Sequence, residues 1–179
     1  MEIKYSLTKT PKEKPKDESK LGFGHIFTDH MLIMPYTAGQ GWHDPEIRPY
    51  GPIELSPASM CLHYGQTVFE GLKAYRTAEG KVQLFRPEEN FKRLNRSNER
   101  LVIPELPVDL AMQCLMALLE VEKDWVPHQE GASLYIRPFI IAADPYLGVR
   151  PADQYYFMII LSPSGAYYCL LYTSPSPRD

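Results

Sequence analysis

Cysteine is scarce in this chain: Cys61, Cys114 and Cys169 are an odd number at wide spacing in 179 residues. That pattern suits neither a disulfide framework nor a four-ligand zinc site, and a reducing compartment is the simple expectation. Long apolar runs are lacking as well. No stretch approaches the ~20 residues a membrane span needs, and the first residues are too charged for a secretory signal, so a cytoplasmic protein with no membrane partner is expected. Charge of one sign is also missing, because the formal net charge is only -3, and nothing in that balance favours nucleic acid. There is no glycine-rich phosphate loop, nucleophile elbow or HExxH pattern. The five histidines stand at no metal-ligand spacing, so each is read as structural and no metal is expected. No internal repeat occurs.

What the chain does have is apolar content, 44% hydrophobic and 12% aromatic, enough to bury one core. Residues 9–20, KTPKEKPKDESK, mix both charge signs with proline and no apolar residue, so residues 1–20 are expected to be a mobile leader and the fold to start near Leu21. Residues 25–36 read as a hairpin split at Thr28-Asp29-His30. Residues 57–64 read as a short helix, with Ser56 as cap, Pro57 in the first turn and Gly65 as the left-handed residue after it. Residues 68–76 and 81–86 flank TAEG as a β-hairpin, with Leu72 and Ala74 on one face and Lys73 and Tyr75 on the other. Two amphipathic helices follow. The first carries Phe91, Leu94 and Leu101 behind Pro87, Glu88 and Glu89, and the second has an apolar stripe of Leu110, Cys114, Leu118, Val121 and Trp125. Residues 132–143 and 154–162 are runs of β-formers of the kind buried on both faces. Strands and helices together predict one layered α/β or α+β domain.

Two groups of residues carry possible chemistry. Arg93, Arg96 and Arg100 recur at helical spacing, either as a solvated face with Glu89 pairing Arg93 or as a source of a phosphate clamp, since a guanidinium offers paired donors to phosphoryl oxygens. Spacing leaves both open. Tyr135 and Arg137 lie two apart on a strand and share a face, where a phenol and a guanidinium can bind a carboxylate together or can be an edge pair facing water. An arginine in so apolar a run needs a partner or a cavity.

Four stretches taken together, HYGQTVFEGLKAYR, LFRPEENFKRLNRS, SLYIRPFII and YLGV, resemble the N-terminal part of a branched-chain amino acid aminotransferase, one of the fold-type IV pyridoxal phosphate enzymes. The resemblance runs from about Phe23 to Tyr167. It implies an α+β small domain, a mixed sheet with two main helices, over residues 21–162. Residues 163–168 would begin an interdomain connection, a large C-terminal domain would be missing, and the full-length family would be a homodimer. It also implies that Arg93 grips the phosphate of pyridoxal 5'-phosphate and that Phe23, Phe69 and Tyr167 line an apolar substrate pocket. Tyr64, Leu147 and Val149 would reach the neighbouring subunit's pocket. Tyr135 and Arg137 would take part in substrate carboxylate recognition. The implied reaction is L-leucine, L-isoleucine or L-valine plus 2-oxoglutarate, giving the branched 2-oxo acid and L-glutamate.

On this resemblance Lys73 is not the Schiff-base lysine, which would fall beyond the end of the chain, and the isolated polypeptide is expected to be inactive. Residues 169–179, CLLYTSPSPRD, do not continue the family pattern and are read as a non-native tail. Other fold-type IV enzymes, a D-amino acid aminotransferase or an aminodeoxychorismate lyase, are the nearest alternatives. A non-catalytic dimerisation or binding module is the alternative of another class.

Overall fold

The computed structural model describes residues 1–165. Its centre is a long antiparallel pair, β8 (Ser133–Ala142) and β9 (Gln154–Ser164), joined residue for residue from Ser133 opposite Ser164 to Ala142 opposite Tyr155. On the β9 side lie β2 (His30–Thr37) and then β4 (Glu46–Pro49), both antiparallel, with the short β3 (Gly41–Trp42) folded back on β2. A two-residue strand, β1 (Lys4–Tyr5), closes that edge in parallel with β4, so the sheet is mixed. On the β8 side lie β5 (Thr67–Phe69) and β6 (Leu72–Arg76), and β7 (Val82–Leu84) pairs with β6 through a turn at Gly80, whose φ is 79°. A left-handed φ of this kind suits a residue without a Cβ.

Two helices cover one face of this sheet. α2 (Pro87–Arg100) buries Phe91 and Leu94, and α3 (Val108–Glu122) buries Ala111, Cys114, Leu115, Leu118 and Leu119. They pack on alternate strand residues, among them Leu32, Met34, Ala74, Leu134, Ile136, Phe157, Ile159 and Leu161, which form one core. The thiol of Cys114 lies in that core, and burial pushes it up to about 12. On the sheet's other face β8 presents Tyr135, Arg137, Phe139 and Ile141, all half-buried. β8 therefore alternates rather than being buried on both sides, as its composition alone predicts, because helices pack against only one side of the sheet. The stripe on α3 matches the expected one in part: Cys114 and Leu118 are buried, as is Trp125 just beyond the helix. Leu110 and Val121 are half-buried while Leu115 and Leu119 are enclosed. Leu101 caps α2 at 40% exposure instead of joining its buried face.

Two further expectations are corrected. Residues 25–36 form no hairpin; strand β2 begins at His30, and Thr28, Asp29 and His30 are buried rather than turning at the surface. The His30 ring Nδ1 pairs with the Glu122 carboxylate at the end of α3, the Asp29 amide donates to Glu122 at 3.2 Å, and the Trp125 indole donates to Asp29 at 2.9 Å. Polar residues that would suit a turn serve here as an internal clasp between β2 and α3. The helix expected over residues 57–64 is shorter, α1 (Met60–Tyr64), with Gly65 left-handed after it.

The first 20 residues, read as a mobile leader, have defined partners. The Thr8 amide donates to His30 Nε2 at 2.8 Å, the Lys12 amide to Asp29 at 2.7 Å, and Glu18 accepts from the amides of His128 and Gln129 at 2.8 and 2.7 Å. Hydrogen bonds between backbone amides and side chains, with Ile3 packed against the core, place this segment.

Candidate active site

The face of the sheet opposite the helices brings together four of the residues singled out from the sequence. Arg137 donates from Nε and Nη2 to the Tyr135 hydroxyl at 3.2 and 2.7 Å. Its guanidinium also lies over the Phe69 ring, 4.4 Å from the centroid, and Phe23 meets the Tyr135 ring edge-on at 4.9 Å. The arginine in the apolar run thus has its partner in the phenol two residues away, with aromatic rings shielding both. Among the described residues Arg137 Nη1 makes no hydrogen bond, so one donor edge stays available to an anion. An apolar rim with a single guanidinium can seat an aliphatic side chain and a carboxylate in the same place.

The segment across β8 explains how this cluster is held. β5 and β6 pair with β8 in one unbroken register, Phe69 opposite Phe139 and Leu72 opposite Ile136. The single strand expected over residues 68–76 is interrupted only at Glu70-Gly71, where Pro138 has no amide to donate; the Glu70 amide still donates to the Pro138 carbonyl at 2.9 Å. Phe69, Gly71 and Lys73 therefore share the face of Tyr135 and Arg137. A Cβ built on Gly71 would collide with the Tyr135 hydroxyl and come within 3.1 Å of its ring carbon Cζ, so the glycine is what lets this ring lie down.

Glu70 points the other way, among the inward residues Val68, Leu72 and Ala74, and is only 5% exposed. A carboxylate there needs a partner. Arg93 supplies it from α2, donating from Nε and Nη2 to the two Glu70 oxygens at 2.6 Å each. Asn90, one turn earlier, donates to Glu70 at 3.1 Å and to the Gly71 carbonyl at 3.3 Å. Burial pushes the Glu70 carboxyl up, but the hydrogen bonds from Arg93 and Asn90 outweigh it and hold the group below the usual carboxylate range. The Glu70 hydrogen bond in turn raises the Arg93 guanidinium. Glu89, the expected i, i+4 partner of Arg93, instead pairs with Lys92 at 2.8 Å. The Arg93 side chain remains 60% exposed, and its Nη1 makes no hydrogen bond among the described residues.

Tyr64, Leu147 and Val149 form a separate group. The Tyr64 hydroxyl donates to the Leu147 carbonyl, and Tyr64 and Val149 border an open pocket of about 460 Å³ with Met60, Gln66 and Val102. Leu147 and Val149 are 61% and 86% exposed, and none of the three touches Tyr135, Arg137 or Phe69 by hydrogen bond or ring contact among the described residues. Tyr167 lies outside the described residues. Glu70, Asn90 and Gly71, which hold Arg93 and make room for Tyr135, do not stand out in the sequence. A charged residue at an inward strand position is the available signal, since 68, 70, 72 and 74 share a face by period two.

A mixed sheet with helices on one side matches the N-terminal part of fold-type IV aminotransferases. The solved branched-chain amino acid aminotransferase of Escherichia coli superposes with a TM-score of 0.58 at 25% identity, covering 76% of this chain and 41% of that one. A second solved branched-chain amino acid aminotransferase, the T.th. enzyme with pyridoxamine 5'-phosphate, gives a TM-score of 0.57 at 27% identity over 78% of this chain and 41% of that one. In sequence the chain is 59% identical over 157 residues to branched-chain-amino-acid transaminase 1 of Bacillus subtilis, covering 88% of this chain and 44% of that protein. It is 52% identical over 148 residues to the branched-chain-amino-acid aminotransferase of Mycolicibacterium smegmatis, 82% of this chain and 40% of that protein. No protein-family model matches. Over the residues matched, the chain belongs to the branched-chain aminotransferase family, and it spans less than half the length of these curated relatives.

Proposed function

We propose that this chain is the small-domain part of a branched-chain aminotransferase acting on L-leucine, L-isoleucine or L-valine with 2-oxoglutarate. The observation that carries the proposal is the Tyr135–Arg137 pair held between Phe23 and Phe69 on the sheet face that the helices leave open. Its aromatic walls suit an aliphatic side chain, and the free edge of Arg137 suits the distal carboxylate of glutamate, so one pocket serves both halves of a ping-pong exchange.

The cofactor in this proposal is pyridoxal 5'-phosphate, which when bound supplies the electron sink for amino-group transfer. The solved T.th. relative carries pyridoxamine 5'-phosphate. The residues here fit such a group at its phosphate, because Arg93 is charged, exposed and has an unengaged Nη1. Tyr64, Leu147 and Val149, exposed and apart from the Arg137 cluster, suit a role across a homodimer interface. Phe23, Phe69 and Tyr167 are assigned to the substrate pocket, and residues 163–168 to the start of an interdomain connection. The Schiff-base lysine is assigned to the remaining length of the full enzyme, not to Lys73.

The test is a coupled glutamate assay with L-leucine and 2-oxoglutarate. The 179-residue chain alone is expected to give no turnover, and the frame extended to the length of its relatives is expected to be active. In that extended protein, R137A should raise KM for 2-oxoglutarate more than for L-leucine. Borohydride-sensitive turnover by the chain alone overturns the division of labour, and an inactive extended protein overturns the reaction.

A further inference from the structure

Glu70 is a buried carboxylate on the apolar side of its strand, and its two oxygens take both Nε and Nη2 of Arg93 at 2.6 Å. A side chain with the freedom of arginine is thereby reduced to one orientation, with Nη1 directed away from the pair. Asn90 clamps the same carboxylate and also the Gly71 carbonyl, at 3.1 and 3.3 Å. The next residue, Gly71, lies under the Tyr135 ring. Two adjacent residues thus carry the two anion-facing groups on opposite sides of one strand.

We propose that Glu70 is a positioning residue for phosphate binding: it fixes Arg93 so that Nη1 is offered to the cofactor phosphate while the Glu70 pair stays intact. The inference rests on the phosphate role proposed for Arg93. Coulomb's law alone predicts the opposite sign for Glu70, since an anion beside a phosphate site repels its ligand. A purely structural ion pair predicts no specific effect on the ligand. Positioning predicts weaker binding when the carboxylate is lost, although the local charge becomes more favourable.

The probe is pyridoxamine 5'-phosphate, with pyridoxamine as the control lacking phosphate; neither carries an aldehyde that would react with surface lysines. The chain labelled with ¹⁵N-arginine reports the Arg93 Nε–H signal, assigned by its loss in R93K. In the unmodified chain this signal is expected to exchange slowly with water, and to shift with pyridoxamine 5'-phosphate but not with pyridoxamine. In E70Q it should exchange fast, and affinity for pyridoxamine 5'-phosphate should fall about tenfold, the lower end of what loss of an orienting partner costs at other ligand sites. N90A, which leaves Glu70 in place but removes its clamp, should show a smaller fall and decides the matter if E70Q does not fold. Equal or tighter binding in the folded variants overturns the positioning role alone. No response of Arg93 to pyridoxamine 5'-phosphate in the unmodified chain overturns the phosphate reading, and the inference with it.

Discussion

At the scale of single residues, the site depends on one absent side chain and one buried charge. Gly71 leaves the space that the Tyr135 hydroxyl occupies, so G71A must displace the ring or the strand. Overpacking of this kind costs about 1–3 kcal/mol, which a urea midpoint will read, and the Arg137 Nε–H resonance should move because its acceptor has moved. Glu70 makes a prediction in pH. Its carboxyl is held below the ordinary value of 4.5, so the folded state binds its proton less readily than the unfolded state does. The stabilisation is therefore present above 4.5 and is lost as pH falls through the depressed folded value. Urea midpoints of the native chain and E70Q should differ most near neutrality and converge in acid; a gap that widens on acidification would contradict the assigned direction.

Among elements, the contact that joins helix layer to sheet is polar as well as apolar. Glu122, at the last residue of α3, is almost fully buried and receives both the His30 ring and the Asp29 amide from the start of β2. Burial, the larger influence, raises the Glu122 carboxyl against the opposing effect of His30. Removing one partner of a buried pair strands the other, at a cost of about 3–5 kcal/mol. E122A should therefore unfold at markedly lower urea than a surface control such as E120A, whose partner Lys123 is exposed. A difference within roughly 0.5 kcal/mol, the scale of surface substitutions, would mean that the clasp is replaceable.

For the molecule as a whole, residues 1–12 act as a strap across the β2–β4 edge. They hold one parallel strand pair and the hydrogen bonds of Thr8 and Lys12 to His30 and Asp29. At about 1 kcal/mol for each of the hydrogen bonds donated by the amides of Lys4, Ser6, Thr8 and Lys12, deleting residues 1–12 should lower stability by about 4 kcal/mol, read as a fall in the urea midpoint. Amide exchange at Thr8 and Lys12 should be slower than in an unstructured peptide and faster than in β8 and β9. Exchange at the unprotected rate would mean that these ties do not persist in solution.

Much of this architecture is legible in the amino-acid sequence. Period-two alternation puts Tyr135 and Arg137 on one face, and the left-handed glycines Gly65 and Gly80 mark where an element has to end, because these are local consequences of backbone geometry. The two main helices and the long strands are readable for the same reason, since an apolar stripe has to be buried somewhere. Only the tertiary structure decided which carboxylate met Arg93. Glu89 is near in sequence, but Glu70, 23 residues away, is the buried one, and a desolvated charge competes harder for a guanidinium than an exposed one does. It likewise turned Thr28, Asp29 and His30 from a turn into an interior clasp. Such pairings depend on which groups lose their water together, and that is a property of packing rather than of sequence neighbours.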